Sequence, residues 1–379
     1  MVYDQLDYLT RLFEQEVEKQ RIGGCSVFVE HKGVVVYHKA FGCDQKDSIY
    51  RIYSMTKPIT SMAAMILYER GQLDLMEPVS KYLPAFAEVN VFEGKNIVKA
   101  NQPITISHLL NMTSGIVYPG TVNPSSRLMA DLLQKLHKQG LGTVEICNAM
   151  AQVPLHFQPG DDWYYGASAE VLGAVIEVCS GYKFSEFLKK EIFVPLTMVD
   201  TGFVIPKDQV NRLARMFMMN AGGNIMPVSK KALLEIQAGN PTKEPFMEMG
   251  GGGLFSTASD YLKFARILLH GGTYEEVRLL GPKTVQYMTQ NQLTEKQRAS
   301  MWFESTLGYG YGNLLRVMLD QSVATSNGSL GEFGWDGLAG TYFSVDPKEE
   351  LIIVYMQQNK DGAHQETRRK MRNIIYGAI

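Results

Sequence analysis

The sequence has few of the residues that build metal and redox sites. Its 379 residues include only four cysteines, and no two of them form a C-x-x-C pair, so a zinc or thiol redox motif has no support. The seven histidines are scattered, without H-E-x-x-H or any other ligand spacing. We therefore expect a protein without a metal or other cofactor.

Excess charge and long apolar runs are also missing. The 37 lysines and arginines are balanced by 39 aspartates and glutamates, whereas nucleic-acid-binding proteins normally carry a basic patch. No apolar run reaches the length of about 18 residues that spans a bilayer, and the charged first twenty residues lack the apolar core of a signal peptide. These absences predict a cytoplasmic protein with reduced thiols that binds neither nucleic acid nor a membrane. They leave the oligomeric state open.

The sequence is rich enough in apolar residues to form a large packed core. Hydrophobic residues make up 45% of the chain and charged residues 20%, which fits one large domain or two closely joined ones. An amphipathic helix is predicted in the first twenty residues, followed by a β-hairpin of Cys25–Glu30 and Val34–Phe41. Further strands are predicted at Leu307–Met318, Gly337–Val345 and Leu351–Gln357, before a helix at about Glu366–Tyr376.

The predicted strands thus lie at the two ends of the chain, with helical segments between them. Both sets of strands are most simply buried in one antiparallel sheet built from the N- and C-terminal segments. We therefore predict an α+β fold in which residues 1–72 and 298–379 form a sheet domain flanked by helices. Residues 73–297 are predicted to form a mainly helical region.

One Ser-x-x-Lys motif combines a nucleophile with a base. A serine hydroxyl is a poor nucleophile until a neighbouring base removes its proton. Ser54 and Lys57 lie three residues apart at the start of a helix predicted from Thr56 to Arg70, so they share one face. A buried lysine loses part of its preference for the charged form, and free N–H groups at the helix N-terminus stabilise an oxyanion. The alternative is that Ser54 only caps the helix.

The same spacing occurs again at Ser180 and Lys183, but its context is different. This copy follows the apolar helix predicted at Ala169–Cys179, and Gly181 is typical of a residue that ends a helix. We interpret it as a surface turn without a catalytic role.

Two further segments contain residues that suit this chemistry. Tyr164 and Tyr165 lie in a loop rich in glycine and aspartate just before a helix, and a tyrosine near a lysine and a serine can relay protons. Trp335-Asp336-Gly337 contains a glycine next to apolar strand residues, which often marks close approach of the backbone to a ligand. Aromatic packing at a helix start, and a bend with a packed tryptophan, are the respective alternatives.

The glycine run Gly250–Gly253 is not followed by Gly-Lys-Ser/Thr, so it does not indicate a phosphate-binding loop. It is predicted to be a flexible loop before the helix that begins near Ala258. The sequence also lacks the Gly-x-Ser-x-Gly motif that is typical of α/β-hydrolases.

Taken together and in this order, the motifs resemble the serine β-lactamase-like superfamily, which has the penicillin-binding-protein fold. The resemblance is strongest to the family VIII carboxylesterases and their class C β-lactamase relatives. It covers nearly the whole chain and implies an α/β sandwich with the active site between the sheet and the helical region. The segments that carry it are Tyr50–Thr60, Ile104–Gly115, Trp163–Gly173, Gly250–Asp260 and Phe333–Pro347.

The resemblance also implies roles for individual residues. Ser54 corresponds to the nucleophile, Lys57 to its base, and Tyr165 to the tyrosine of the second motif, with Tyr164 as the alternative. The third motif corresponds to Trp335, Asp336 and Gly337, which would bind substrate. The oxyanion hole would consist of the backbone N–H groups of Ser54 and Leu338.

Two departures from the family pattern bear on the substrate. The second motif reads Tyr165-Gly-Ala and so lacks the asparagine that usually helps to hold a lactam side chain. Penicillin-recognising relatives have a lysine where this chain has Trp335, and Asp336 adds a carboxylate beside it. An ion pair about 4 Å apart at an effective dielectric near 20 is worth up to about 4 kcal/mol. Replacing that attraction by repulsion predicts poor turnover of anionic penicillins and D-Ala-D-Ala peptides.

The sequence therefore predicts a serine hydrolase that acts through an acyl-enzyme on neutral or cationic esters or amides. A β-lactamase, a D-amino-acid peptidase or an acyltransferase are alternatives within the same chemistry. A penicillin-binding-like module with little turnover is an alternative from another class.

Overall fold

A computed structural model describes residues 2–137, 139–220, 222–229, 233, 240–360 and 365–379 of the chain. Its described α-helices, in chain order, are α1 (Asp7–Glu18), α2 (Thr56–Glu69), α3 (Ile106–Leu110), α4 (Pro124–Leu136), α5 (Thr143–Ala149), α6 (Ser168–Ser180), α7 (Phe184–Leu188), α8 (Ala258–Leu269), α9 (Pro282–Met288), α10 (Glu295–Ala299), α11 (Gln321–Ala324) and α12 (Gln365–Gly377). Its described strands are β1 (Gly24–His31), β2 (Val34–Gly42), β3 (Tyr50–Arg51), β4 (Asn90–Glu93), β5 (Asn96–Lys99), β6 (Phe217–Met219), β7 (Ile225–Pro227), β8 (Phe255–Ser256), β9 (Thr273–Tyr274), β10 (Val277–Arg278), β11 (Tyr309–Gly312), β12 (Leu315–Met318), β13 (Phe333–Asp336), β14 (Tyr342–Asp346) and β15 (Leu351–Gln357).

The largest sheet joins the two ends of the chain. It has seven strands in the order β11-β12-β13-β14-β15-β1-β2, and every pair is antiparallel. β1 pairs with β15 from Cys25 opposite Gln357 to His31 opposite Leu351. The predicted antiparallel sheet built from N- and C-terminal segments is therefore confirmed.

Helices cover both faces of this sheet. Successive side chains of a strand point to opposite faces, and every residue of β1 and β15 is buried, so both faces need cover. On one face, the amphipathic helices α1 and α12 bury Phe13 and Met371 against the strands. On the other face, α8 packs Tyr261 and Phe264 against Phe343 of β14. The result is a helix–sheet–helix sandwich.

The helix α2 lies in the interior of the molecule. Its residues 56–67 are all buried, as expected for a helix that is apolar on every side. It packs against α6, whose first nine residues are buried as well. This packing places Lys57, near the start of α2, inside the protein.

Two of the predicted strands are wrong in their bounds. Instead of one strand at Gly337–Val345, β13 ends at Asp336 and β14 begins at Tyr342. A tight turn separates them, with Gly340 at a φ of 94° that favours glycine. The predicted strand Leu307–Met318 is likewise a hairpin, because Asn313 and Leu314 both adopt positive φ between β11 and β12.

The predicted domain boundaries stay a prediction. Helix α8 belongs by sequence to the predicted helical region 73–297, but it packs on the sheet strands β14, β15 and β1. In the described part of the chain, no helix combines the length and apolarity needed to cross a membrane.

Candidate active site

Ser54 lies at the entry to α2. It is the middle residue of a single 3-10 turn, Tyr53–Met55, that runs directly into the helix. Lys57 follows one turn later, and its Nζ lies within hydrogen-bond distance of Ser54 Oγ, at 3.1 Å. The lysine is fully buried, whereas Ser54 is partly exposed. The structure thus brings the predicted nucleophile and base into direct contact, with the nucleophile on the open side.

The turn that carries Ser54 is held from several sides. Tyr53 adopts a φ of 43°, a left-handed conformation that is uncommon for a residue other than glycine. Its side chain is buried against Met216 and Ala339, and the N–H of Ile52 bonds the carbonyl of Leu254. Such strained backbone persists only where the surroundings fix it, and it is common at functional sites.

The amine of Lys57 has two further hydrogen-bond partners. Its Nζ donates to the hydroxyl of Tyr118 at 2.9 Å and to the carbonyl oxygen of Gly251 at 2.7 Å. It also lies 4.6 Å from the ring centroid of Tyr165. With Ser54, Lys57 Nζ thus has three polar partners among the described residues. A tetrahedral nitrogen bonded to one carbon has three further directions, and each of these partners can occupy one of them.

Tyr118 is a site residue that the sequence reasoning missed. Its hydroxyl donates to both carboxylate oxygens of Glu170, at 3.2 and 3.3 Å. Burial raises the pKa of the phenol well above its usual value, and the nearby carboxylate acts in the same direction. Tyr118 therefore keeps its proton in the resting site. The available signal was its place just after the Ile104–Gly115 segment of the family pattern.

Glu170 was missed as well, although it lies in the quoted segment Trp163–Gly173. It is in the first turn of α6 and only 2% exposed. Burial raises the pKa of its carboxyl, while the charge of Lys57 lowers it. The sequence signal is a charged residue within the apolar first half of α6, because glutamate is almost never fully buried unless it is paired.

The glycine run Gly250–Gly253 lies in the predicted loop before α8 and is packed against the site; the flexibility of this loop stays a prediction. A Cβ on Gly250 would overlap with the carbonyl of Ala169, and a Cβ on Gly251 with the carboxylate of Glu170. The hydroxyl of Thr60 donates to the Gly250 carbonyl at 2.6 Å. Only glycine allows this backbone to come close enough to accept the hydrogen bond from Lys57.

The two tyrosines of the second motif lie in different places. Tyr165 packs its ring beside Lys57, and its hydroxyl accepts a hydrogen bond of 3.2 Å from Trp335 Nε1. The hydroxyl of Tyr164 instead accepts from Asn123 at 3.2 Å. The structure therefore places Tyr165 rather than Tyr164 at the site, while its role in proton transfer stays a prediction.

The turn after β13 touches the turn that carries Ser54. A Cβ on Gly337 would overlap with the carbonyl oxygen of Ile52, and Thr341 Oγ1 donates to the same oxygen at 3.1 Å. The next residue, Leu338, exposes 57% of its surface. This arrangement brings the third motif against the turn that carries Ser54, and the oxyanion role of the Ser54 and Leu338 N–H groups stays a prediction.

The Asp336 side chain points away from Ser54 and Lys57, which corrects the prediction that this carboxylate repels anionic substrates. Because side chains alternate along β13, Trp335 faces Tyr165 while the Asp336 carboxylate faces α12. There it forms ion pairs with Arg368 and, at 3.5 Å, with Arg316. Two guanidinium groups compensate its charge, so this carboxylate gives no reason for anionic substrates to be repelled.

Aromatic side chains form one wall beside Lys57. The Tyr165 ring lies 5.5 Å from Trp335 and 5.2 Å from Phe303, measured between ring centroids. Trp302 stacks on Phe303 at 3.9 Å and is 62% exposed. The wall therefore runs from the buried lysine to the surface and offers apolar contacts.

The comparisons with known proteins agree with this geometry. The family model described as Beta-lactamase matches residues 9–377 of the chain. A protein of Mycobacterium tuberculosis is 32% identical over 326 residues, which cover 83% of this chain and 78% of the relative. Esterase EstB of Burkholderia gladioli is 27% identical, over 97% of this chain and 94% of its own.

The fold is shared with solved structures. EstCE1, described as a hydrolase with promiscuous acyltransferase activity, superposes with a TM-score of 0.83 over 98% of both chains, at 24% sequence identity. A penicillin-binding protein homologue of Pyrococcus abyssi has a TM-score of 0.72 and covers 98% of this chain and 77% of its own.

Proposed function

The chain belongs to the beta-lactamase family, and from this premise we propose that it is a serine hydrolase that cleaves carboxylic esters through an acyl-enzyme on Ser54. Membership confirms the family-level resemblance drawn from its motifs. The observation that supports the mechanism is the 3.1 Å contact between Ser54 Oγ and the amine of the fully buried Lys57.

In the proposed reaction, Ser54 Oγ attacks the ester carbonyl while its proton passes to the neutral amine of Lys57. The backbone N–H groups of Ser54 and Leu338 would stabilise the oxyanion. The ester C–O bond then breaks, and the alcohol leaves with the proton from Lys57, directly or through Tyr165. A water repeats the sequence on the acyl-enzyme and releases the acid.

The character of the third motif supports a neutral, apolar acyl group. Trp335 is 2% exposed and belongs to the aromatic wall with Tyr165 and Phe303. Such a wall binds a substrate through apolar contacts with the faces and edges of its aromatic rings, not through an ion pair. The likeness to esterase EstB supports the same choice of substrate class.

An acyltransferase reaction is the second candidate. The same acyl-enzyme transfers its acyl group to an alcohol when that alcohol, rather than water, reaches the acyl carbon. The exposed side chains of Trp302 and Leu338 offer an apolar surface near the site for such an acceptor. The likeness to EstCE1, a hydrolase with promiscuous acyltransferase activity, supports this reading.

The proposed function is tested by covalent labelling and turnover. The protein is incubated with a fluorophosphonate, the modified residue is located by mass spectrometry, and hydrolysis of p-nitrophenyl acetate and butyrate is compared with that of nitrocefin. We expect label on Ser54, ester turnover faster than nitrocefin turnover, and both lost in Ser54→Ala.

Ser180→Ala is the matched control, because Ser180 starts the other Ser-x-x-Lys motif, at the exposed end of α6. It should keep full activity. Nitrocefin hydrolysis faster than ester hydrolysis would favour a β-lactamase. Label on Ser54 without any turnover would favour a binding module, and a folded protein that takes no label would refute every enzyme hypothesis.

A further inference from the structure

We infer that Glu170 is a positioning residue that aims the lone pair of Lys57 at Ser54. The inference rests on the proposed function, since it concerns how that base is made ready to accept the serine proton. It assigns no proton transfer to Glu170 itself.

Glu170 reaches Lys57 through two separate groups. Its carboxylate accepts the hydrogen of the Tyr118 hydroxyl at 3.2 and 3.3 Å. The backbone of Gly251 packs directly against the same carboxylate, because a Cβ at this residue would overlap with Glu170 Oε1. Within the described part of the chain, Tyr118 and Gly251 are, in turn, the two hydrogen-bond partners of Lys57 Nζ besides Ser54.

These contacts determine which partners of Lys57 can only accept a hydrogen bond from it. A carbonyl oxygen such as that of Gly251 can only accept a hydrogen bond. The Tyr118 hydroxyl could donate or accept, but its one hydrogen is directed to Glu170, so towards Lys57 it can only accept. Both N–H groups of a neutral lysine amine are therefore directed to Tyr118 and Gly251.

The remaining direction around Lys57 Nζ holds the lone pair, and the remaining partner is Ser54 Oγ at 3.1 Å. The serine hydroxyl then donates to the amine, which is the arrangement needed before nucleophilic attack. During attack the Ser54 O–H bond breaks and a third N–H bond forms on Lys57. Glu170 neither gains nor loses a proton in this step.

A neutral group in place of the carboxylate would undo the alignment. A protonated glutamate could donate to Tyr118, whose hydrogen would then turn towards the lysine and occupy its lone pair. Glu170 must therefore be ionised, although burial raises the pKa of its carboxyl. Among the described residues, three titratable groups face it: Tyr118, whose hydrogen bond lowers that pKa, Lys57, which lowers it only while charged and is neutral in the reactive state, and the buried thiol of Cys147. The acid side of the pH–rate profile should accordingly contain the ionisation of Glu170.

The test compares Glu170→Gln with Glu177→Gln as a matched control. Glu177 is on the same helix, its pKa is also raised by burial, and its carboxylate accepts a hydrogen bond too, from the backbone N–H of Phe184 at 3.0 Å. The acylation rate and KM for p-nitrophenyl acetate are measured across pH, with thermal unfolding of each variant. A glutamine carries an NH2 group that donates, so it can donate to the Tyr118 oxygen and leave the hydrogen of that hydroxyl free to turn towards Lys57.

We expect Glu170→Gln to lower the acylation rate by about tenfold or more with KM within about twofold, as for loss of a well-placed base. Glu177→Gln should acylate at the wild-type rate, and Glu170→Asp should restore part of the loss. The acid limb assigned to Glu170 should disappear in Glu170→Gln. A folded Glu170→Gln variant with wild-type acylation and an unchanged pH profile would overturn the inference.

Tyr118→Phe gives a second, independent test, because it breaks the same chain of hydrogen bonds between Glu170 and Lys57. The double variant should be about as slow as the slower single variant, since both changes remove one arrangement. Fully additive losses would contradict the inference. If Glu170→Gln does not fold, wild-type acylation by Tyr118→Phe decides against it, and slowed acylation with unchanged KM supports it.

Failure of the proposed function would be recognised separately. The rate of fluorophosphonate labelling at Ser54 requires an activated serine but no ester substrate. Absent ester turnover by the wild-type protein, with labelling that still slows in Glu170→Gln, would reject the ester hydrolase and keep the role of Glu170. Normal ester turnover, with labelling and acylation that do not depend on Glu170, would keep the ester hydrolase and reject the role of Glu170.

Discussion

The indole of Trp335 and the phenol of Tyr165 face each other beside Lys57, joined by a hydrogen bond of 3.2 Å from Trp335 Nε1 to the tyrosine hydroxyl. Their ring centroids are 5.5 Å apart, and the Tyr165 ring lies over Lys57. The third motif thus sets the orientation of the second.

This contact predicts the effect of Trp335→Phe. The variant keeps an aromatic ring but loses the N–H that orients Tyr165, so kcat for p-nitrophenyl esters should fall about twofold to tenfold, the usual worth of one hydrogen bond. Trp163→Phe is the control: its ring also packs on Tyr165, at 6.2 Å, but among the described residues its Nε1 has no partner to lose. Equal losses of kcat in the two variants would mean that ring volume, not the hydrogen bond, matters.

The glycine run offers a second prediction with a control in the same loop. A Cβ at residue 251 would overlap with the Glu170 carboxylate and lie 2.6 Å from the Tyr118 hydroxyl, whereas at residue 252 its nearest neighbour is 3.8 Å away, in Tyr53. Gly251→Ala should therefore move the carbonyl that binds Lys57 and reduce kcat by about tenfold or more. Gly252→Ala should stay within about twofold of wild type in the same steady-state assay. A Gly251→Ala enzyme with normal kcat would show that the Lys57–Gly251 contact is dispensable.

The position of Asp336 predicts a stability effect without a change in specificity. Its carboxylate joins two nearly buried arginines, with side chains 3% and 5% exposed. Asp336→Asn leaves both guanidinium groups without their counter-ion and should lower the free energy of unfolding by about 3 kcal/mol. Glu304→Gln, which breaks the exposed pair with Arg369, should change stability little.

Urea unfolding measures the stability of both variants, and matched neutral and anionic p-nitrophenyl esters measure specificity. The ratio of kcat/KM for the two esters should be the same in Asp336→Asn and wild type. A shift of that ratio towards the anionic ester would restore the substrate-repulsion argument that the structure removes.

A fourth prediction concerns the dependence of stability on pH. Burial raises the pKa of Asp44 to about 6, and the hydrogen bond from Tyr50 offsets only part of that rise. The folded protein therefore binds this proton more tightly than the unfolded chain does. Stability from Asp44 is greatest below the unfolded pKa near 4 and falls by roughly 2 to 3 kcal/mol as pH rises through about 6.

Unfolding free energies at pH 4.5, 5.5 and 7 test this directly. Asp44→Asn should remove that part of the slope, because the amide does not titrate. The exposed neighbour Asp47 provides the control, since Asp47→Asn should keep the slope of the wild-type protein. An identical slope in Asp44→Asn and wild type would be evidence against the raised pKa.

The parts of the site that the sequence predicts are those that local geometry brings together. Ser54 and Lys57 are one helical turn apart, so their contact follows from spacing and helix formation alone. Tyr118 and Gly251 are separated from Lys57 by 61 and 194 positions, and nothing local requires them to meet. Their positions next to Lys57 depend on the tertiary packing of α2, α6 and the glycine run.

The fold follows the same division. The pairing of the N- and C-terminal strands was predictable because the apolar strands at both ends of the chain need to be buried. One shared sheet is the simplest way to bury them. The turn after β13 was missed because Leu338 and Ala339 continue the apolar pattern of the strands on either side of it. Which way Asp336 points depends on a strand bound of one residue, and such bounds are the least certain part of any sequence-based reading.

The pairing of β1 with β15 has a consequence for biosynthesis. A ribosome releases Cys25 long before it has made Gln357, its partner across the sheet. Until then β1 carries an open edge, and the turn that carries Ser54 lacks β13, against which it packs. Because distant contacts are slow to form and open strand edges attract other chains, this protein should depend on completion of translation, and on chaperones that shield β1, before any serine can react.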